Sequence, residues 1–421
     1  MTANAESSGT PQGTPRVLKF GVVGLGNAGG GVLALMKAMP QIEVVAVADL
    51  RPHAREAFEQ EFGGRAYESM EELCDDSEVE AVWVATPNPF HCPHTIMAAE
   101  HGKHVVVEKP MALNIKEAEA MIEAAEKNGV KLLSGHTRAF DPPVQTMSRI
   151  INSGEVGALK AMNVWAYTGW MLRPRMPEEV DEERAGGVAF RQAPHQIDTL
   201  RFLGGGLVRS VRGMTGTWME GRMGAPGYFT GYLEFEDRTP ATIAYNGYGY
   251  FLAGDLLPWD NEAPGEAPEE RARIRQGLRD GTWDEQQAKD DRRFGGALRS
   301  TQGMGMGTGG GSSEARFLSD LGLLILTCER GVLRQSPGGI YVYNDDGVRE
   351  ETISPGSSAA PLDPTLEEAY NGIILDKPIF HDGRWGMATL EVQLALMESA
   401  RERREIILSR QVPVPAHTTA V

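Results

Sequence analysis

Residues 20–30, FGVVGLGNAGG, constrain this chain more than any other stretch. A short apolar run leads into Gly24, Gly26 and Gly29 at G-x-G-x-x-G spacing, and a helical pattern runs on from Gly31 to Met39. A second apolar run, Val44 to Ala48, closes on Asp49, twenty residues after Gly29. The glycine spacing alone is common. The order strand, glycine turn, helix, strand, acid is not, and it specifies a dinucleotide-binding unit. Gly24 permits the tight turn, Gly26 lets the backbone approach a pyrophosphate, and Gly29 lets the helix pack closely on the strand. The helix N-terminus meets the phosphates with unpaired N–H groups and the positive end of its dipole. Asp49 stands where a carboxylate accepts both ribose hydroxyls of the adenosine half. That favours NAD over NADP, whose 2′-phosphate would meet a like charge, although Arg51 leaves some tolerance for NADP.

A second signature lies at residues 104–110, HVVVEKP, a strand pattern that delivers Glu108, Lys109 and Pro110 to its C-terminal end. Hydride transfer from a carbinol carbon needs a group that removes the hydroxyl proton and polarises the forming carbonyl. Lys109 suits that task, since neighbouring cations or desolvation lower a lysine pKa into the useful range. A surface lysine capping a strand is the plain alternative. The other candidate is His195 in RQAPHQID, with Asp198 three residues on and within helical reach to orient its ring.

From Lys19 to about Phe140 strand and helix patterns alternate. Strand-like runs fall at 19–23, 44–48, 81–85, 104–107 and 130–134, and helical patterns at 31–39, 53–61, 95–101 and 115–128. Such alternation predicts a parallel sheet covered on both faces, which binds ligands outside its C-terminal strand ends. Gly24, Asp49, Thr86 and Lys109 all fall there. The second half reads differently: 159–167, 207–218, 228–235 and 239–245 are alternating, β-branched and aromatic runs that predict an antiparallel sheet, with a helix at 193–203 between them. The fold class expected is therefore α/β, an N-terminal Rossmann domain over 17–141 followed by a C-terminal α+β domain over 142–385. A closing helix and tail occupy 386–421, and residues 1–16 read as a disordered tail. Residues 254–312 form a long insertion, a lid or a hinge by its length, and the glycine run 303–311 lacks the preceding strand a phosphate loop needs.

With 421 residues and 41% hydrophobic content the chain supports two domains. A net charge of −17 argues against nucleic acid or an anionic membrane as partner. The start lacks a basic and then apolar leader, the longest aliphatic stretch near 321–327 is too short for a bilayer, and three cysteines without a C-x-x-C pair fit a reducing, cytoplasmic setting. His91, His94, His101 and His104 cluster, and His91 and His94 have a spacing zinc can use, but no carboxylate or cysteine pattern completes a metal site.

The segments GLGNAG, ATPNPFH, GKHVVVEKP and PHQID together resemble the Gfo/Idh/MocA oxidoreductases over nearly the whole chain. The resemblance implies a C-terminal domain built on an open, largely antiparallel sheet, through which the chain forms a homo-oligomer, a dimer or tetramer. It implies Lys109 as the catalytic lysine and His195 as the motif histidine facing the substrate. Cofactor contacts would come from Gly24, Gly26, Asn27, Ala28, Gly29, Asp49, Leu50, Arg51, Thr86, Pro87, Asn88, Glu108 and Lys109, with His91 on the loop beside the nicotinamide. The family motif carries an acid four residues before its histidine and a glycine two before; here Arg191 and Ala193 stand instead. A cation in place of that acid weakens a sugar, inositol or glycoside substrate and favours an anionic one. The segments SGHTRAFDPP and MLRPRMPEEVDEERAGGVAFRQAPHQID are similar to the family's cis-dihydrodiol dehydrogenases. That implies NAD-dependent oxidation of a cis-dihydrodiol of phthalate, or a similar small anionic cyclic diol, to the dihydroxy aromatic. Arg173, Arg175 and Arg191 would then hold vicinal carboxylates, with His136 also at the substrate. A nicotinamide-binding regulator without turnover is the reading from another class; the presence of both Lys109 and His195 argues against it.

Overall fold

The computed structural model describes residues 16–256, 268–291, 293, 294, 296, 322–353 and 363–415. The expected tail over 1–15 and the glycine run at 303–311 lie outside them; Arg16, at the tail's end, pairs with Glu80.

The N-terminal half builds β1 (Leu18–Val23), α1 (Asn27–Ala38), β2 (Ile42–Ala48), α2 (Pro52–Phe62), β3 (Arg65–Tyr67), α3 (Met70–Asp75), β4 (Ala81–Val84), α4 (His91–Glu100), β5 (His104–Glu108), α5 (Ile115–Lys127) and β6 (Leu132–Gly135). Six parallel strands lie in the order β3-β2-β1-β4-β5-β6. All four residues of β4 are buried, as are Phe20, Val22, Val106 and Leu133, because helices cover both faces of such a sheet. The order reverses between β1 and β4, which opens a crevice at the C-terminal strand ends. The short pieces β3 and α3 were not expected from the sequence, and α3 is held by a Ser69–Glu72 capping box.

The second half contains α6 (Pro142–Asn152), β7 (Leu159–Tyr167), α7 (Val188–Arg191), α8 (Ala193–Leu203), β8 (Val208–Gly216), β9 (Tyr228–Phe235), β10 (Pro240–Asn246), α9 (Pro268–Asp280), α10 (Glu285–Asp290), β11 (Leu323–Cys328), β12 (Gly331–Gln335), β13 (Gly339–Asn344), β14 (Gly347–Thr352), α11 (Asp363–Ile374), α12 (Gly383–Glu402) and β15 (Ile406–Ile407). Nine strands form an open sheet in the order β14-β13-β12-β11-β7-β10-β9-β8-β15. Only β7 and β10 pair in parallel; the remaining pairs are antiparallel. Strict alternation sends Met162, Val164, Phe229, Leu233, Ala241 and Ile243 to one face, where they join α8 and α12 residues in a single core.

The C-terminal segment is not a separate closing piece. α12 packs against β8 and α8 on one side and α5 and β6 on the other. Leu366, Ala369 and Tyr370 of α11 enter the core beneath α1, and β15 adds an edge strand to β8. α12 and the strand after it thus fasten the two sheets together along the β6 edge of the first.

Candidate active site

The glycine turn meets the steric demands of a phosphate cradle, each glycine for its own reason. Gly24 has φ +86°, in the left-handed region that disfavours side chains. A Cβ on Gly29 would stand 1.9 Å from the Gly24 carbonyl oxygen, so the helix can touch the turn only if position 29 is bare. Around Gly26 nothing lies within 4 Å of a Cβ position; the space in front of the α1 N-terminus is open, as an approaching pyrophosphate requires. Asn27 is exposed and Ala28 half-buried at the same opening. These residues fit a dinucleotide.

Asp49 ends β2 and is tied down on both oxygens. Its Oδ2 accepts from the Leu25 N–H at 2.7 Å, and its Oδ1 from the Arg51 N–H at 2.9 Å and Arg51 Nε at 3.0 Å. Arg51 Nη2 also reaches Oδ2 at 3.1 Å and the Leu25 carbonyl at 2.8 Å. Burial alone would raise the carboxyl pKa, but the Arg51 and Leu25 hydrogen bonds outweigh it and the net shift is downward. Arg51 therefore screens the charge that would repel a 2′-phosphate. Leu50, 79% exposed, stands beside it.

The loop after β4 forms the other wall. His91 is buried, with Nε2 2.8 Å from the Thr86 carbonyl and Nδ1 2.8 Å from the Pro110 carbonyl. Burial pulls its pKa down to about 4, so at neutral pH the ring carries one proton and donates to one carbonyl at a time. In either tautomer it straps the Thr86 loop to the turn after Lys109. Thr86 Oγ1 meets His94 Nδ1 at 3.1 Å, Pro87 is exposed, and Asn88 is buried with its Nδ2 lacking any acceptor among the described residues. His104 Nδ1 accepts from the Lys131 N–H and His101 Nδ1 faces the Met97 carbonyl. The histidine cluster is thus dispersed over separate backbone contacts. Among the described residues no three His, Cys, Asp or Glu side chains are placed to hold a metal ion.

Lys109 leaves β5 half-buried, its Nζ 3.5 Å from the Arg191 carbonyl at the end of α7. Glu108 turns the other way, into the core, accepting from Trp83 Nε1 at 3.3 Å; burial raises its pKa against the pull of Lys109. His195, one turn beyond Arg191, has its Nδ1 buried without a partner among the described residues. Burial, then the charges of Lys109 and Arg138, hold its ring well below the usual imidazole pKa, and so neutral. His136 hydrogen-bonds Ser134 Oγ through Nδ1 at 2.7 Å and is pushed down to about 4 by burial, against the pull of Asp198. Lys109, His195 and His136 are close enough to feel one another's charge. A cation beside two neutral imidazoles is a set able to take and pass on a proton.

Asp198 does not orient His195. Its Oδ1 accepts from Trp385 Nε1 at 2.7 Å and its Oδ2 faces His381 Nε2 at 3.8 Å, an ion pair more than a hydrogen bond. Helical spacing put the carboxylate on the right turn, but Trp385 of α12 and His381 just before it supplied stronger partners.

The three arginines separate. Arg173 is exposed. Arg175 donates through Nε and Nη2 to the Trp170 carbonyl at 3.2 and 2.9 Å, stacks 3.6 Å above the Trp170 ring and points Nη1 at Glu179. It is committed to the protein. Arg191 reaches Glu179 only at 3.6 Å, and its buried Nε has no acceptor among the described residues. Glu179 was not singled out from the sequence, where it sits in the acidic run PEEVDEE with nothing to distinguish it. Burial opposes its charge, yet Lys289, Arg175 and Arg191 together bring it down to about 2.

Residues 18–136 match the Gfo/Idh/MocA oxidoreductase family, NAD-binding Rossmann fold, and residues 144–251 match the Gfo/Idh/MocA C-terminal domain. The chain belongs to this family. As such it is an oxidoreductase with an NAD-binding N-terminal domain. It is 30% identical over 390 residues to the 1-carboxy-3-chloro-3,4-dihydroxycyclohexa-1,5-diene dehydrogenase of Comamonas testosteroni, covering 91% of this chain and 95% of that one. A mouse trans-1,2-dihydrobenzene-1,2-diol dehydrogenase is 32% identical, over 40% of this chain and 51% of the relative. Among solved structures, one put forward as a dehydrogenase of Bordetella bronchiseptica RB50 superposes with TM-score 0.82 at 34% identity, over 93% of this chain and all of that one.

Proposed function

We propose that this oxidoreductase oxidises a cis-dihydrodiol of phthalate, or a closely similar carboxylated cyclic diol, to the dihydroxy aromatic, with NAD preferred over NADP. The observation that carries the reading is the buried cationic wall beside Lys109. Arg191, Arg175 and Lys289 surround one carboxylate, Glu179, and the backbone carbonyl of Arg191 lies 3.5 Å from the reacting amine. A polyol offers such a wall only neutral hydroxyl acceptors, whereas a vicinal dicarboxylate complements it through charge-assisted bonds. The name of the Comamonas relative, a carboxylated dihydroxycyclohexadiene dehydrogenase, supports the same class.

In this reading His195 and His136, both neutral, first take the ammonium proton of Lys109 and relay it away, and the free amine of Lys109 then accepts the hydroxyl proton of one carbinol and polarises its oxygen. The nicotinamide, when bound, takes the hydride from the same carbon. The hydroxy-enone so formed tautomerises to the catechol, and aromatisation draws the reaction forward; diol and NAD+ give dihydroxy aromatic, NADH and one proton. Arg191 holds a carboxylate, Arg175 supports it through Glu179, and Arg173 lies at the exposed rim. The outer face of the nine-stranded sheet, with Trp165 42%, Met214 60% and Tyr232 45% exposed, suits a homo-oligomer interface.

The test is a substrate panel of cis-dihydrodiols with and without ring carboxylates, polyols and glycosides, followed at 340 nm with NAD and with NADP. The phthalate diol should give the highest kcat/KM, and Arg191→Gln should lower it by roughly 10- to 150-fold, the worth of a charge-assisted hydrogen bond. The same substitution should scarcely affect a diol without carboxylates. A wild-type enzyme indifferent to the carboxylates refutes the reading.

A further inference from the structure

Within the insertion between β10 and β11, helix α10 reaches Glu179, the carboxylate beside Arg191. The helix is fastened at both ends to the loop between β7 and α7. At its start, Glu285 receives both terminal nitrogens of Arg222, a residue only 4% exposed, and the Arg175 backbone N–H at 3.0 Å. One turn on, Lys289 is buried and its Nζ donates to Glu179 Oε2 at 2.6 Å. The Met176 N–H takes the same oxygen at 2.7 Å, so the two close bonds to Glu179 are both on Oε2. Oε1 is left with longer contacts, Arg175 Nη1 at 3.5 Å and Arg191 Nη1 at 3.6 Å.

A buried carboxylate draws in whatever cation will satisfy it. Remove Lys289, and Glu179 keeps the Met176 N–H, the 3.5 Å contact of Arg175, whose Nε and Nη2 are already bonded to the Trp170 carbonyl, and the guanidinium of Arg191, whose Nε has no acceptor among the described residues. The planar fork of Arg191 matches a carboxylate in two bonds, so Glu179 would close the 3.6 Å gap and capture it. The group meant for substrate would then be spent inside the protein.

We infer that Lys289 is a specificity-determining positioning residue, which saturates Glu179 and thereby keeps the Arg191 guanidinium available to a substrate carboxylate. Helix α10 is in this sense part of the substrate site, acting through Glu179. The inference rests on the carboxylated-diol reading above. Lys289 is the only lysine between residues 254 and 312, the one sequence signal that could have marked it.

The experiment uses the full chain with NAD and compares Lys289→Met, Lys289→Gln, Lys289→Arg and the double variant Lys289→Met/Glu179→Gln. KM and kcat are measured for the phthalate diol and for the same diol without carboxylates. Dissociation constants for the product, 4,5-dihydroxyphthalate, and for catechol are read calorimetrically, and thermal unfolding reports folding. Lys289→Met and Lys289→Gln should raise KM for the phthalate diol and Kd for its product by about 10-fold or more, with kcat within about twofold. The uncarboxylated pair should hardly change. Lys289→Arg should stay near wild type, and the double variant should recover most of the loss because the captor is gone. Equal losses on both substrates mean that Lys289 only anchors the insertion, and no recovery in the double variant means that it acts by another route; either overturns the inference. A wild type that prefers carboxylates while Lys289→Met loses nothing refutes this inference alone. A wild type indifferent to carboxylates refutes the substrate reading and this inference with it.

Discussion

Alanine at Gly26 and at Gly29 should have opposite signatures, although the two positions are three residues apart in one turn. At Gly29, inside α1, helix propensity favours alanine by about 1 kcal/mol. The structure reverses that sign. The new Cβ would stand 1.9 Å from the Gly24 carbonyl oxygen, so backbone must move by more than an ångström. Overpacking of that kind costs about 1–3 kcal/mol, and more when no flexible side chain can yield. Gly29→Ala should therefore lower the unfolding midpoint of the cofactor-free protein by about 1–3 °C, at about 1 °C per kcal/mol for a chain of this size. At Gly26 nothing lies within 4 Å and φ is −68°, which any residue adopts. The cost there is that of a poorer helix N-cap, about 0.5–1 kcal/mol. The methyl would fill the space through which a pyrophosphate approaches, so the loss should fall on NAD affinity, about 10-fold or more in Kd. Differential scanning fluorimetry with and without NAD separates the two. Wild type at about 100 times its Kd gains about 2.7 kcal/mol from the ligand, and Gly26→Ala at the same concentration should gain about half that. If Gly26→Ala binds NAD with wild-type affinity, the pyrophosphate does not cross this turn, and the placement of the cofactor is wrong.

Lys109→Met should retain NAD binding, since the glycine turn is untouched, and lose kcat by on the order of 10²-fold or more; a near-normal single-turnover rate would remove Lys109 from proton transfer. His195→Asn should also slow turnover. Asp49→Ala should raise KM for NAD and narrow the preference over NADP, because it removes the ribose acceptor and frees Arg51 to meet a 2′-phosphate. A wild type that prefers NADP contradicts the role given to Asp49. Stability should peak near pH 6.5. Buried His91 and His136, pushed down to about 4, remain neutral in the fold, so their contribution is complete above the unfolded imidazole pKa and lost as pH falls from 6.5 towards 4. Burial opposes a charge on His381, but Glu368 and Asp198 raise it to about 9, so its contribution is complete below 6.5 and lost as pH rises towards 9. Urea midpoints at pH 5, 6.5 and 8.5 check this. His381→Asn should flatten the alkaline limb, and an unchanged slope above pH 7 would refute the assignment.

The sequence by itself determined what depends on near neighbours. The period of two over 228–235 gave β9 its bounds, and the helix at 193–203 emerged as α8 end for end. The glycine turn and the Lys109 strand end were legible because a strand, a turn and the next helix are fixed by residues a few positions apart. The three-residue β3 and six-residue α3 escaped notice because elements so short hold too few turns or alternations to show a period. Spacing also could not say which charge meets which. Asp198 lies three residues from His195, yet burial pairs it with Trp385, 187 positions away. Lys289 finds Glu179 across 110 positions, and α11 and α12 return to the first sheet from the far end of the chain. In water these partners would be interchangeable. Only desolvation in the packed fold makes an unpaired charge costly enough to fix a single choice, and that choice is made by tertiary structure.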